Sequence, residues 1–319
     1  ITIIEVIDTC IQRMILHEVF TSSTCGPCKL GNEILDSILL ANPGKWTCIK
    51  YQMDYPTVGD PYFTDEGEAR RSFYAVGGIP SLRVDGGYGN NPKAYVQNDL
   101  DLFYNVPAFL DISANFILNG QTIDVSASLE SMIDYTSNDL VAFIAVIESR
   151  TFNNIGNNYE TEFHYVMKKM LPDSIGTPIG PLSAGQPVQI NETYTFQGSY
   201  VLPPDASSPI DHNVEHSVES FNSLMVVVFV QDTTTLEVLQ SAWASNNALV
   251  GIEGDLNPNN LFKIIPNPCV HDIRIIYQLP DRCNVTWEIF DYLGRLVIEG
   301  EIADYNAGLY ENTLSVDIL

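Results

Sequence analysis

Two cysteines two residues apart, Cys25-Gly26-Pro27-Cys28, constrain this chain more than any other stretch. An apolar run, Met14 to Phe20, precedes them, and a segment of helical spacing, Leu30 to Leu40, follows. Leu30, Ile34, Leu35, Ile38 and Leu39 fall on one stripe, and Asn42-Pro43-Gly44 stops the helix. Strand, then C-x-x-C, then helix is the setting in which this motif acts as a redox pair. Cys25 would stand at the helix N-terminus, where unpaired N–H groups and the helix dipole stabilise a thiolate. Cys28 would lie one turn in, close enough to attack a mixed disulfide. A stable disulfide without turnover is the competing reading of the same residues. A metal site lacks a second pair of ligands.

Charge narrows the partners. Asp and Glu number 40 against 15 Lys and Arg, a net charge of −25. So few cations cannot assemble a basic patch, which argues against nucleic acid as a partner, and an anionic membrane surface repels such a chain. The longest apolar run, Leu224 to Val230, is far short of the roughly 20 residues a membrane span needs. The acidic loops leave Ca2+ open as a weak ligand, although no EF-hand loop occurs; no other cofactor is expected. The start at Ile1 rather than Met is consistent with a removed leader. Six cysteines are too few for a disulfide scaffold. Whether Cys10 pairs with Cys48, or Cys269 with Cys283, is open from sequence.

The first third continues with strand-like runs at Ile1 to Ile7 and Trp46 to Met53. A charged helical stretch, Asp65 to Tyr74, and a further helix over Pro92 to Tyr104 complete it. Cys25-Gly26-Pro27-Cys28-Lys29 matches the thioredoxin active-site sequence. Val76-Gly77-Gly78-Ile79-Pro80-Ser81-Leu82, about 50 residues on, resembles the thioredoxin loop in which a cis-proline faces the cysteine pair. The resemblance implies that Pro80 is that residue, that Ile79 offers backbone groups to a bound peptide, and that Lys29 adds positive charge nearby. Two departures stand out. Thr24 replaces the tryptophan that usually precedes the first cysteine. The buried carboxylate that helps move a proton to or from the second cysteine has no counterpart in register. Glu18 is the nearest candidate, about one residue off, and by itself it reads as a surface or strand-edge carboxylate.

From about Val106 the pattern turns to strands: Leu110 to Leu118, Gln121 to Leu129, Leu140 to Ile147, Val188 to Phe196, Leu224 to Gln231 and Leu236 to Trp243. Asn119-Gly120 signals a type I′ hairpin. Leu140 to Ile147, apolar on both faces, reads as a central strand. The set predicts an antiparallel sandwich of the immunoglobulin-like kind. Two long polar connections, Thr151 to Tyr159 and Pro203 to Ser220, run between strands, and Phe163 to Leu171 is placed within the first excursion. His164 reads as a loop-packing histidine, and His212 and His216, four apart, could share a helix face. No His-Glu-x-x-His occurs. Val146-Ile147-Glu148, Phe163 to Leu171 and Val227 to Asp232 together resemble the Omp28-related family, which pairs a thioredoxin-like domain with a β-sandwich.

Gly251 to Asn260 reads as a linker. Beyond it, Pro266-Asn267-Pro268 and a turn at Asp291-Tyr292-Leu293-Gly294-Arg295 punctuate short strands at Ile273 to Tyr277, Val285 to Phe290 and Leu296 to Glu299. This resembles the C-terminal sorting domain of type IX secretion substrates, with Pro266, Asn267, Pro268 and Gly294 as its landmarks. Gly308-Leu309-Tyr310 resembles its closing element, and the residues past it suggest a domain incomplete at its end.

The expectation is therefore a multidomain chain. A thioredoxin-like α/β fold spans 1–105 and an all-β immunoglobulin-like sandwich spans 106–250. A linker at 251–260 leads to a small all-β sorting domain at 261–319. What the resemblances imply is a secreted or cell-surface protein of a Gram-negative bacterium, handled by the type IX machinery. It would exchange thiols and disulfides with extracellular proteins through Cys25 and Cys28, with Ile79 and Pro80 holding the substrate. The rival is a non-catalytic binding, adhesion or filament-forming protein, homo-oligomeric among its options, that uses the same domain as a scaffold.

Overall fold

The computed structural model describes residues 10–246 and, beyond them, the backbone of five strands between 262 and 315. The chain divides into two compact units, 1–246 and 247–319. The first unit is mostly β with few helices, in several sheets.

β1 (Ile15–Thr21) leads through Ser22-Ser23-Thr24-Cys25 into α1 (Gly26–Leu40) and β2 (Trp46–Gln52). β1 and β2 pair in parallel, Ile15 opposite Trp46 and Thr21 opposite Gln52. α2 (Asp65–Phe73) follows, capped by Thr64, whose side chain accepts from the Gly67 N–H, and with three acidic residues in its first turn. β3 (Ser81–Val84) runs antiparallel to β1, and β4 (Tyr88–Asn90) antiparallel to β3. The helix expected over Pro92 to Tyr104 is broken. A 3-10 turn at Pro92–Ala94 gives way to extended backbone at Tyr95 and Val96 before α3 (Gln97–Tyr104). The break turns Tyr95 inward, where its hydroxyl meets His17 Nε2 at 2.9 Å.

The next strands are β5 (Leu110–Asn119), β6 (Thr122–Ser131), β7 (Leu140–Thr151) and β8 (Phe163–Leu171). The two-residue β9 (Thr177–Pro178) and β10 (Val188–Thr195) follow, with two-residue β11 (Ser199–Tyr200) and β12 (Glu215–His216) after them. β13 (Leu224–Asp232), β14 (Val238–Trp243) and β15 (Ser245–Asn246) close the unit. The β5–β6 hairpin forms one residue later than Asn119-Gly120 suggested. Asn119 pairs with Thr122, so Gly120, at φ +60°, takes the first central position of the turn, the place for glycine in a type II′ turn.

Phe163 to Leu171 is a strand and not part of a loop excursion. β8 pairs antiparallel with β7 and meets β2 in parallel at Lys50 and Val166. Its sequence hides this, because Lys168 and Lys169 break the apolar run, yet Lys168 is buried. β8 thereby joins the strands on its two sides into one sheet of order β14-β13-β7-β8-β2-β1-β3-β4, with β9 on β7. A second sheet, β10-β6-β5-β15, faces it.

Alternation explains the cores. In β7 and β13, Ala142, Ile144, Val146, Val226, Val228 and Val230 pack against the second sheet. Val141, Phe143, Ala145, Ile147, Val227 and Phe229 fill the opposite face, with Leu16, Phe20, Tyr51 and Tyr74. Both faces are covered, which is why these strands read as unbroken apolar runs. A third core holds Ile15 and Val19 against Leu35 and Leu39 of α1 and Leu100 of α3.

In the second unit, β16 (Phe262–Ile265) pairs antiparallel with β17 (Asp272–Leu279). β20 (Gly308–Ser315) is the other partner of β17, while β18 (Cys283–Phe290) pairs with β19 (Leu296–Tyr305). Pro266, Asn267, Pro268 and Gly294 lie outside the described residues, as do Ile1 to Ile7 and Cys269.

Candidate functional site

Cys25 and Cys28 are joined in a disulfide, with Cα atoms 5.3 Å apart. Cys25 caps α1 with extended backbone at φ −98°, and Pro27 occupies the first turn, where a missing N–H costs nothing. The Cys28 N–H donates to the Cys25 carbonyl at 3.1 Å. The first turn of α1 holds no acidic side chain that would offset the positive end of the helix at Cys25. Ile79–Pro80 is cis. A Cβ at Gly31, one turn beyond Cys28, would lie 3.1 Å from Pro92 Cγ and 3.6 Å from Pro80 Cγ. The absence of a side chain there lets both prolines close on the start of α1.

The pair is not open to solvent. Cys25 is 2% exposed and Cys28 0%, although Gly26 and Pro27 between them are exposed. Two segments hold Ser22-Ser23-Thr24, the residues that lead into Cys25. On one side, Thr24 Oγ1 donates to the Pro56 carbonyl at 2.7 Å, and the Ser23 N–H donates to Asp60 Oδ2 at 2.8 Å. Thr24 therefore ties down the loop at a position where the resemblance calls for a tryptophan. On the other side, the connection between β7 and β8 lies against Ser22-Ser23. The Asn158 N–H donates to the Ser23 carbonyl at 3.0 Å and Asn158 Nδ2 to the Ser22 carbonyl at 3.2 Å.

Two buried carboxylates anchor these segments. Asp60 accepts from the amides of Ser23 and Tyr62 and from Asn154 Nδ2. Glu160 accepts from Asn32 Nδ2 at 2.9 Å and from Asn158 Nδ2. Burial pushes both carboxyls above their ordinary range, against the pull of those hydrogen bonds. Asn32 also donates to Thr21 Oγ1 at 3.1 Å, at the end of β1. None of Asp60, Asn154, Asn158 and Glu160 stood out in the sequence. The signal present was the polar, asparagine-rich run from Thr151 to Tyr159, residues whose side chains hydrogen-bond backbone in irregular segments.

The supporting residues fall in different places. Lys29 Nζ donates to the Tyr159 carbonyl at 2.9 Å and stands 4.0 Å from Glu33. Glu18 is neither at the surface nor at a strand edge: it is 0% exposed. It shares the even-numbered face of β1 with Leu16 and Phe20, while Ile15 and Val19 on the other face pack against α1. Glu18 thus points away from the helix that carries the cysteines. Arg70 binds it with Nε at 3.0 Å and Nη2 at 2.7 and 3.0 Å, and the hydroxyls of Tyr51 and Tyr74 donate to it. Burial by itself would lower the Arg70 pKa; Glu18, Tyr74 and Tyr51 outweigh it and raise it.

Between α1 and residues 159–164 lies a cleft of about 370 Å3. At its floor Asp36 takes Lys50 Nζ at 2.6 Å and His164 Nδ1 at 3.1 Å, while His164 Nε2 stands 3.0 Å from Glu162. The hydrogen bond to Asp36 raises the His164 pKa, against burial. His164 therefore belongs to a strand and ties it to α1. His216 lies in β12, buried against Phe196 and Phe221, and shares no helix with His212. Cys48 is a buried thiol, pushed up by burial, so it does not bridge to Cys10. Among the described residues no three His, Cys, Asp or Glu side chains are grouped to hold a metal ion, and no helix is long and apolar enough to cross a membrane.

No family model matches the sequence, and no curated protein matches it. Solved structures do. HBP35 of Porphyromonas gingivalis superposes with a TM-score of 0.54 at 13% identity, over 96% of this chain and 98% of that one. A protein of Agrobacterium tumefaciens gives 0.47 at 16% identity, over 76% and 96% of the two chains. A domain of the outer membrane lipoprotein Omp28 from Porphyromonas gingivalis gives 0.27 at 16%, over 44% and 88%. The last two scores are too low to bear on the fold; the chain shares its fold with HBP35.

Proposed function

We propose that this chain is an exported, cell-surface protein whose thioredoxin-like first third exchanges its disulfide with thiols of extracellular proteins. One observation carries the reading: a disulfide caps α1 at the end of β1, with Pro80 packed beside the same helix. The strand order β2-β1-β3-β4, with β3 antiparallel to β1, supports the thioredoxin-like assignment. The two facing sheets support an immunoglobulin-like sandwich in the middle, sharing β7 and β13 with both cores. Export by the type IX machinery rests on the sequence resemblance of the last sixty residues.

The chemistry balances within the pair. A substrate thiolate attacks Cys25 Sγ, the Cys25–Cys28 bond breaks, and Cys28 leaves as thiolate. A second substrate thiolate then attacks the substrate sulfur of the mixed disulfide and expels Cys25. Two electrons pass from the substrate dithiol to the protein pair, and the two protons the substrate gives up are matched by two the cysteines take up. The helix N-terminus stabilises the attacking or departing thiolate at Cys25.

Insulin reduction by dithiothreitol, followed by turbidity, tests this: dithiothreitol is the dithiol that reduces the pair, and the reduced pair passes the two electrons to an insulin disulfide by the same steps in reverse. The wild type is expected to shorten the lag and Cys25→Ser to lose that effect. Equal rates for the two would overturn the exchange reading. The near-complete burial of the pair favours a second reading, a surface binding protein in which the disulfide is a static brace. That result would leave it standing.

A further inference from the structure

Attack on a disulfide needs an approach in line with the S–S bond, from the side away from the departing sulfur. With Cys25 2% and Cys28 0% exposed, a polypeptide thiolate has no such approach in this conformation. We infer that residues 152–160 form a strap that must lift from Ser22-Ser23 before the disulfide can be attacked. The strap deepens the exchange reading and rests on it for its purpose, but whether it moves can be measured without any substrate.

The strap is built to come away as a piece. Its ends are fixed: Thr151 closes β7, Phe163 opens β8, and the Phe152 and Asn153 amides donate to Glu219. Between them it adds no strand to either sheet. It is held on the cysteine side by the two Asn158 hydrogen bonds to Ser22 and Ser23, by Asn154 on Asp60, by Asn32 of α1 on Glu160, and by Lys29 on the Tyr159 carbonyl. Gly156 lies so close that a Cβ there would sit 2.3 Å from the Ser23 carbonyl oxygen and 2.8 Å from Ser23 Oγ. Ser23 Oγ is itself buried without a hydrogen-bond partner, a cost that lifting the strap would relieve.

Tyr159 adds two further signs. Its backbone sits at φ +66°, a left-handed conformation that costs a non-glycine residue energy and is kept where the surroundings enforce it. Its side chain is 83% exposed. The strap therefore carries a strained residue whose aromatic side chain is open to solvent. The facing segment, residues 54–60, holds a left-handed residue of its own, Thr57 at φ +60°, but it is tied back to the end of β2. Its Gly59 is pressed on the Asp54 backbone and Ala206, and the Asp60 N–H donates to the Met53 carbonyl at 2.9 Å.

The test is the rate at which tris(2-carboxyethyl)phosphine reduces Cys25–Cys28 in the full chain, read by acid quench, maleimide trapping and mass. Gly156→Ala is expected to raise the rate by about tenfold, because the added methyl lifts the strap. Asn158→Ala, which tolerates the native backbone, is expected to raise it several-fold. Gly180→Ala crowds a distant carbonyl, that of Ser137, in the same way and is expected to leave the rate unchanged. Wild-type rates in both strap variants would overturn the inference. So would equal acceleration by Gly180→Ala, which would mean general loosening. A faster Gly156→Ala reduction in a protein inactive on insulin would keep the strap and discard the exchange reading.

Discussion

His17 and Glu18 are neighbours in β1, both wholly buried, and face opposite sides of the sheet. They meet different partners. Glu18 is met by a guanidinium and two hydroxyls. His17 has the Tyr95 hydroxyl and the Thr47 carbonyl for partners and no carboxylate. Burial holds its pKa down at about 4, so it is neutral in the folded protein. A depressed histidine stabilises the fold fully above its ordinary 6.5, and that stability is lost as pH falls from 6.5 through 4. The loss is about 3 kcal/mol. Asp85 works the other way. Burial raises it to about 6, against the pull of Arg13, so its contribution is lost as pH rises from 3.8 through 6. The two partly cancel in the wild type. Comparison with His17→Gln, in which Asp85 is unchanged, separates them. The stability difference between the two proteins in urea unfolding is expected to shrink steadily from pH 7 to pH 4. A constant difference would show that His17 is not held neutral.

At the scale of the element, β8 decides the architecture, and its two lysines are why it is hard to see in sequence. Lys168 is 1% exposed. Its ammonium lies 3.3 Å from Glu148 of β7, 2.8 Å from the Ser217 carbonyl and 3.3 Å from the centre of the Tyr62 ring. An ion so placed has lost its water, and three partners only partly replace it. Burial accordingly lowers its pKa to about 8, against the pull of Glu148. Glu148→Gln would leave that charge buried without its counter-ion. It is expected to cost about 3–5 kcal/mol at pH 7. The cost should be smaller at pH 9.5, where the folded protein already holds Lys168 neutral. Urea midpoints at the two pH values measure this, and an equal cost at both would mean that the ammonium is not what Glu148 serves. For the same reason, stability attributable to Lys168 rises with pH between 8 and 10.5, since only the unfolded chain is protonated there.

For the whole molecule, the division into 1–246 and 247–319 follows the linker composition from Gly251 to Asn260. The cores described above lie entirely within the first unit. A chain ending at Asn246 is therefore expected to keep the Cys25–Cys28 disulfide and the urea midpoint of the full chain's main transition. A lower midpoint would show that the second unit supports the first.

The sequence by itself determined the local elements and the chemistry they can carry. Cys25-Gly26-Pro27-Cys28 at a strand–helix junction follows from residues close together in the chain, and so do the apolar alternation that marks β5 and β6 and the unbroken apolar runs of β7 and β13. Periodicity and turn chemistry act over a few residues, and they are legible one window at a time. What only the tertiary structure decided is what each side chain meets. Glu18 has the residue type of a proton-handling acid, yet strand alternation turns it toward Arg70 and away from α1. Lys168 looks like a solvent residue until Glu148, Tyr62 and Ser217, far apart in sequence, surround it. The polar run from Thr151 to Tyr159 is an ordinary connection until folding lays it across Ser22-Ser23, more than 120 residues earlier in the chain. Burial and pairing are properties of contacts between distant segments, and no window of sequence contains both partners.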